Sequence, residues 1–291
     1  MIKIINCLTI LFAAVTLTTA QAIAQKKHSK KMQTFITSGR VPVNGINMYY
    51  EVYGKGEIPL ILIHGGGSTI QTSFENIIPF LATDHKVIAV ELQAHGRTTD
   101  RNAPETFEQD ADDVAGLLKA LNISKANIMG FSNGGTTTLQ IAIRHPELVN
   151  KIIVIAGSYR RDGFMEGFFG FMDHASIDNM PQQLKDAFLK VTPDQARLQT
   201  MFEKDKARMI NFKDINDNDI HAIKAPALFV VADKDVITID HTIKMSKLVE
   251  GASLAVVPGI HGSYIGEAGS IAADSKLPQA TAIMINEFLS K

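Results

Sequence analysis

The chain has 291 residues, 45% of them hydrophobic and 20% charged, an ordinary composition for a globular fold with one large core or two smaller ones. A formal net charge of −1 leaves no electrostatic footprint for nucleic acid or for an anionic membrane. The only cysteine, Cys7, lies near the N-terminus, so disulfides, a cysteine nucleophile and cysteine-held zinc are not expected in the folded part.

Lys3 precedes a mostly apolar run over residues 4–17, and Ala22-Ile23-Ala24 offers an A-x-A cleavage site. Residues 1–24 therefore read as a secretory signal, with a periplasmic or secreted location for the mature chain. The run is shorter than the roughly 20 apolar residues of a membrane-spanning helix, so no stable span is expected after cleavage. Lys26, Lys27, Lys30 and Lys31 read as a solvated leader to the folded domain.

Residues 33–43 and 46–53 read as two strands around Asn44-Gly45, a strong hairpin signal. Residues 59–64 (PLILIH) form a short apolar run, as expected of a strand buried on both faces. Residues 86–92, 126–131, 151–156 and 227–232 repeat the pattern, and 253–257 is a shorter version. Helical patterns alternate with them over residues 74–82, 106–121, 134–145, 242–248 and 279–289. Such alternation predicts a mostly parallel, doubly wound α/β sheet with right-handed crossovers.

One interval breaks the rhythm. Residues 158–225 are far more than a crossover needs. They carry Phe164, Phe168, Phe169, Phe171 and Met172, followed by two amphipathic stripes: Leu184, Phe188 and Val191, then Leu198, Met201, Phe202 and Met209. The expected organisation is a signal over 1–24, a core over 25–157, a helical cap over 158–225 inserted after the sixth strand, and the rest of the core over 226–291. The cap's Phe and Met side chains are expected to roof a pocket as well as bury their own stripe.

Gly130-Phe131-Ser132-Asn133-Gly134 sits between a buried strand and a helix and matches G-x-S-x-G. That spacing suits a sharp strand-to-helix turn lifting a serine hydroxyl above the sheet, at a helix N-terminus that favours a developing anion. A serine hydroxyl alone is a poor nucleophile and needs a base and an orienting acid. Two later strands end in suitable loops: Asp233-Lys234-Asp235 follows one, and Pro258-Gly259-Ile260-His261-Gly262 the other. Local sequence alone leaves the acid open between Asp233 and Asp235. His64-Gly65-Gly66-Gly67-Ser68 follows the third strand, where glycines let backbone amides approach an anionic intermediate closely.

These elements, in this order, resemble the α/β-hydrolase superfamily from about Gly45 to the C-terminus, and within it the esterase, lactonase and carbon–carbon hydrolase group. The resemblance implies Ser132 as nucleophile, Asp235 as acid, as in the family's G-D-x-D pattern, and His261 as base. It implies Gly66 as one oxyanion donor, with Gly67 the neighbouring alternative, and the Asn133 amide as the other. Residues 91–98 (ELQAHGRT) are similar to the family's D-x-x-G-x-G-x-S loop, departing at Glu91, Ala94 and Thr98. The implied chemistry is acyl transfer on a small-molecule substrate with no metal and no cofactor; perhydrolysis, transfer to an alcohol and a weakly catalytic receptor are the alternatives. Nothing in the sequence sets the oligomeric state. Of the other histidines, His64 reads as a loop organiser and His145 as a helix end, while His95 sits near the expected pocket.

Overall fold

The computed structural model describes residues 36–291. The expected signal, the basic leader and the first residues of the predicted 33–43 strand lie outside this range. Eight strands form one sheet: β1 (Thr37–Val43), β2 (Ile46–Tyr53), β3 (Leu60–Ile63), β4 (Val87–Val90), β5 (Ala126–Phe131), β6 (Val149–Ile155), β7 (Ala227–Lys234) and β8 (Ser253–Ile260). Their spatial order is β1-β2-β4-β3-β5-β6-β7-β8. β1 and β2 form the Asn44-Gly45 hairpin, with Asn44 and Gly45 both at positive φ, and β2 joins β4 antiparallel. Every pairing from β4 to β8 is parallel.

Apolar side chains divide between the two faces with the strand period of two. Ile61, Ile63, Ile128, Ile152, Val154 and Phe229 pack on one face with Val114, Leu118 and Leu139 of helices Phe107–Ala120 and Asn133–Arg144. Leu60, Leu62, Met129, Ile153 and Leu228 pack on the other with Phe74, Leu81 and Ile285. With both faces covered, the middle strands need no polar positions.

The expected helix over 74–82 is instead two short helices, Ile70–Phe74 and Ile78–Leu81. Thr69 and Thr72 form a reciprocal capping box at the first, and Pro79 sits in the first turn of the second, so the capping chemistry overrides the apolar period. The expected strand over 253–257 runs on to Ile260 through Pro258, which the sheet edge tolerates. Between β6 and β7 lie helices Phe168–His174, Gln182–Val191, Gln195–Ile210 and Asp217–His221. Phe188, Leu198 and Met201 are buried there around Met180 and Ala94. Among the described residues no helix is long and apolar enough to cross a membrane.

Candidate active site

β5 lies at the middle of the sheet between β3 and β6, and its carboxyl end delivers Ser132. The backbone there is strained: Ser132 has φ 55° and ψ −118°, a conformation that L residues rarely adopt. Neighbouring strands hold it, with the Ser132 amide donating to the Ile155 carbonyl at 2.8 Å. The flanking glycines are obligatory for space. A Cβ on Gly130 would stand 1.9 Å from the Gly134 carbonyl oxygen, and one on Gly134 would stand 2.2 Å from that of Ile63. Helix Asn133–Arg144 begins directly after the serine, so its unpaired first amides gather beside the hydroxyl.

His261, just after β8, lies with Nε2 3.0 Å from Ser132 Oγ and Nδ1 2.5 Å from Asp235 Oδ1. The Phe131 ring packs against the imidazole with centroids 4.7 Å apart. Asp235 also accepts from the amides of Ala232 and Ile237 and from the Tyr264 hydroxyl. Burial works to raise its carboxyl, but the His261 charge and these donors outweigh burial and hold it below the usual carboxylate range. Burial pulls His261 down, yet Asp235 and then Glu267 more than offset this and leave it raised above 6.5. Asp233 faces away from this chain: its Oδ1 takes the Gly259 amide at 2.7 Å and ties β7 to the end of β8.

The loop after β3 brings Gly65, Gly66 and Gly67 beside Ser132. The Gly66 and Asn133 amides have no acceptor among the described residues, and both residues line the cavity over Ser132. The Gly67 amide is engaged, donating at 2.6 Å to Asp205 Oδ2. His64 braces the loop from below, with Nδ1 2.7 Å from the Gly65 carbonyl and Nε2 accepting the Leu92 amide; burial pushes it down to about 3, which keeps it neutral.

A cavity of about 280 Å³ opens over Ser132 and His261. Its roof comes from the β6–β7 interval, with Phe164, Phe168, Phe171, Met180, Met201 and Phe202 among the lining residues. Phe169, expected in the lining, instead packs edge-on against Phe164 and Phe168 with the Arg161 guanidinium over its outer face.

Sequence reasoning missed a buried charged cluster beside this cavity. Asp205 meets His95 Nε2 at 2.9 Å and the Arg208 guanidinium; Arg208 in turn meets Asp110 and approaches Glu105 at 3.7 Å. Burial pulls His95 down, but Asp205 outweighs it and the imidazole is raised to about 9; burial pushes Glu105 up to about 8. A signal was available: in the apolar stripe Leu198, Met201, Met209, the helical period also calls for an apolar residue at 205. Glu267 was missed as well; it is buried, accepts from the hydroxyls of Ser68 and Ser73, and lines a second recess beside Ser132.

A family model described as the α/β hydrolase fold matches residues 58–188. The 2-hydroxy-6-oxo-6-(2'-aminophenyl)hexa-2,4-dienoic acid hydrolase of Metapseudomonas resinovorans is 32% identical over 142 residues, 48% of this chain and 47% of its own length. The chain thus spans about half of that relative in the match. The serine hydrolase BPHL of Homo sapiens is 27% identical over 259 residues, 83% of this chain and 87% of the relative. Among solved structures, the meta-cleavage product hydrolase of Pseudomonas fluorescens IP01 superposes with a TM-score of 0.71 at 22% identity, covering 88% of this chain and 98% of that one. At that identity the superposition speaks for the fold alone. Sheet order, family match and superposition agree that the chain has the α/β-hydrolase fold.

Proposed function

We propose that the protein is a serine hydrolase that cleaves a carboxylic ester or related acyl bond of a small molecule through an acyl-enzyme. The observation that carries this reading is the unbroken chain Ser132 Oγ, His261 Nε2, His261 Nδ1, Asp235 Oδ1 on the floor of an apolar cavity. In the first step His261 takes the Ser132 proton as Oγ attacks the carbonyl carbon. The amides of Gly66 and Asn133, both free of acceptors among the described residues, receive the carbonyl oxygen as it becomes anionic. Collapse of the tetrahedral intermediate breaks the bond to the leaving group, which takes the proton from His261. Water then repeats the sequence on the acyl-enzyme with His261 again as base. Asp235 fixes the imidazole tautomer and stabilises its protonated form.

Two measurements test the reading. A fluorophosphonate should label Ser132 alone, and Ser132→Ala should cut turnover of a nitrophenyl ester by roughly 10⁴-fold or more in a folded protein. Labelling at another residue, or near-normal turnover in the variant, overturns it. From the signal pattern over residues 1–24 we further propose that the enzyme acts outside the cytoplasm; N-terminal sequencing of the exported form should then begin at Gln25.

A further inference from the structure

Three glycine amides follow one another after β3: that of Gly67 is engaged, while that of Gly66, which lines the cavity beside Asn133, has no acceptor among the described residues. The arrangement traces to Asp205, in the middle of helix Gln195–Ile210 of the β6–β7 interval. Its Oδ2 accepts the Gly67 amide at 2.6 Å, and its Oδ1 stands at a longer 3.5 Å from the Asn133 side-chain nitrogen. Among the described residues, no other side chain of that interval bonds to the Gly65–Gly67 loop. Asp205 is buried, and His95 and Arg208 fix it from two further directions. Gly67 has φ +69°, so its peptide plane is free to turn unless something holds it. The Asn133 side chain fills the space next to Gly66, where a Cβ would come within 2.6 Å of its nitrogen.

Resting on Ser132 as nucleophile, we infer that Asp205 is a positioning residue for the oxyanion hole: by taking the Gly67 amide and bracing Asn133, it orients the loop so that the Gly66 amide faces the reacting carbonyl. A carboxylate this close to a developing anion would by itself oppose it. The cations His95 and Arg208, both in contact with Asp205, offset that repulsion, so the carboxylate acts through hydrogen bonds while its charge is balanced. The hole is therefore complete only when helix Gln195–Ile210 is seated on the loop.

The test pairs variant kinetics with a measurement on the unaltered protein. Asp205→Ala should lower kcat on a nitrophenyl ester by roughly 10²-fold, the scale of one lost oxyanion donor, with KM within about threefold. Affinity for phenylboronic acid, which forms a tetrahedral adduct on an active serine, should fall in step with kcat. Asp205→Asn, which keeps an acceptor for the Gly67 amide, should recover about tenfold of the loss, a split that a role in stability alone would not produce. In the ¹⁵N-labelled wild-type protein, the Gly67 amide should be protected from exchange while those of Gly66 and Asn133 are not. Phenylboronic acid should then shift Gly66 and Asn133 and leave Gly67 in place. Folded Asp205→Ala with kcat within about threefold of wild type overturns the inference. So does a Gly67 amide that exchanges freely or moves with the boronate, and this measurement decides alone if the alanine variant does not fold. Turnover surviving in Ser132→Ala would sink the underlying reading instead; loss there with normal kcat in Asp205→Ala sinks only this one.

Discussion

Asp233 and Asp235 leave β7 two residues apart and serve different partners. Asp235 holds His261, whereas Asp233 holds the Gly259 amide. Asp235→Asn should therefore cut turnover by roughly 10⁴-fold at neutral pH, because the carboxamide cannot fix the base tautomer or stabilise its charge. Asp233→Ala, which removes the acceptor of the Gly259 amide, should leave turnover nearly intact and lower stability by about 1 kcal/mol in denaturant titration, the scale of one hydrogen bond. The opposite ranking in folded variants would move the acid to Asp233. The imidazole carries a second consequence. Asp235 and Glu267 raise His261 above 6.5, and in the proposed mechanism His261 must be neutral to act as base, so kcat/KM should fall on the acid side with a midpoint above pH 6.5. Glu267→Gln removes one of the two carboxylates and should move that midpoint down; an unchanged midpoint would show that Glu267 is not felt at the imidazole. Much of this residue-level picture was legible in the order serine, acid, histidine at strand ends. Asp205 showed only as a break in an apolar stripe, and what it holds was not legible, because its partners Gly67, His95 and Asn133 lie 138, 110 and 72 positions away in the chain.

At the level of elements, the apolar runs made the central strands readable to within a residue or two, since burial on both faces leaves no other pattern. The helices between β6 and β7 were readable as amphipathic, but their docking face was not. Phe168 and Phe169 are adjacent, yet only Phe168 lines the cavity. Phe168→Ala should widen the roof and shift the preferred acyl chain toward longer or bulkier groups, each buried methylene being worth about 0.8 kcal/mol. Phe169→Ala should leave the preference in place and act on stability. Initial rates across nitrophenyl esters of graded length decide this; a flat profile in the wild type would mean that the roof does not hold the acyl group.

Over the whole molecule, the residues that meet at Ser132 come from the ends of β3, β5, β7 and β8, together with one helix between β6 and β7. His261 reaches Ser132 across 129 positions of sequence, and Asp235 and His261 stand on the last two strands of the sheet. Parallel pairings over such separations form slowly, because the intervening loop must close before any contact rewards it. Refolding of the 36–291 region should thus show most of its helical signal early, while esterase turnover returns only with the final docking of β8. Activity regained in step with the first spectroscopic phase would contradict that order. On the proposed mechanism the chain would keep time with its own chemistry: a nascent or incompletely folded copy already has the serine, but its hydroxyl would stay inert until the last strand has closed the sheet.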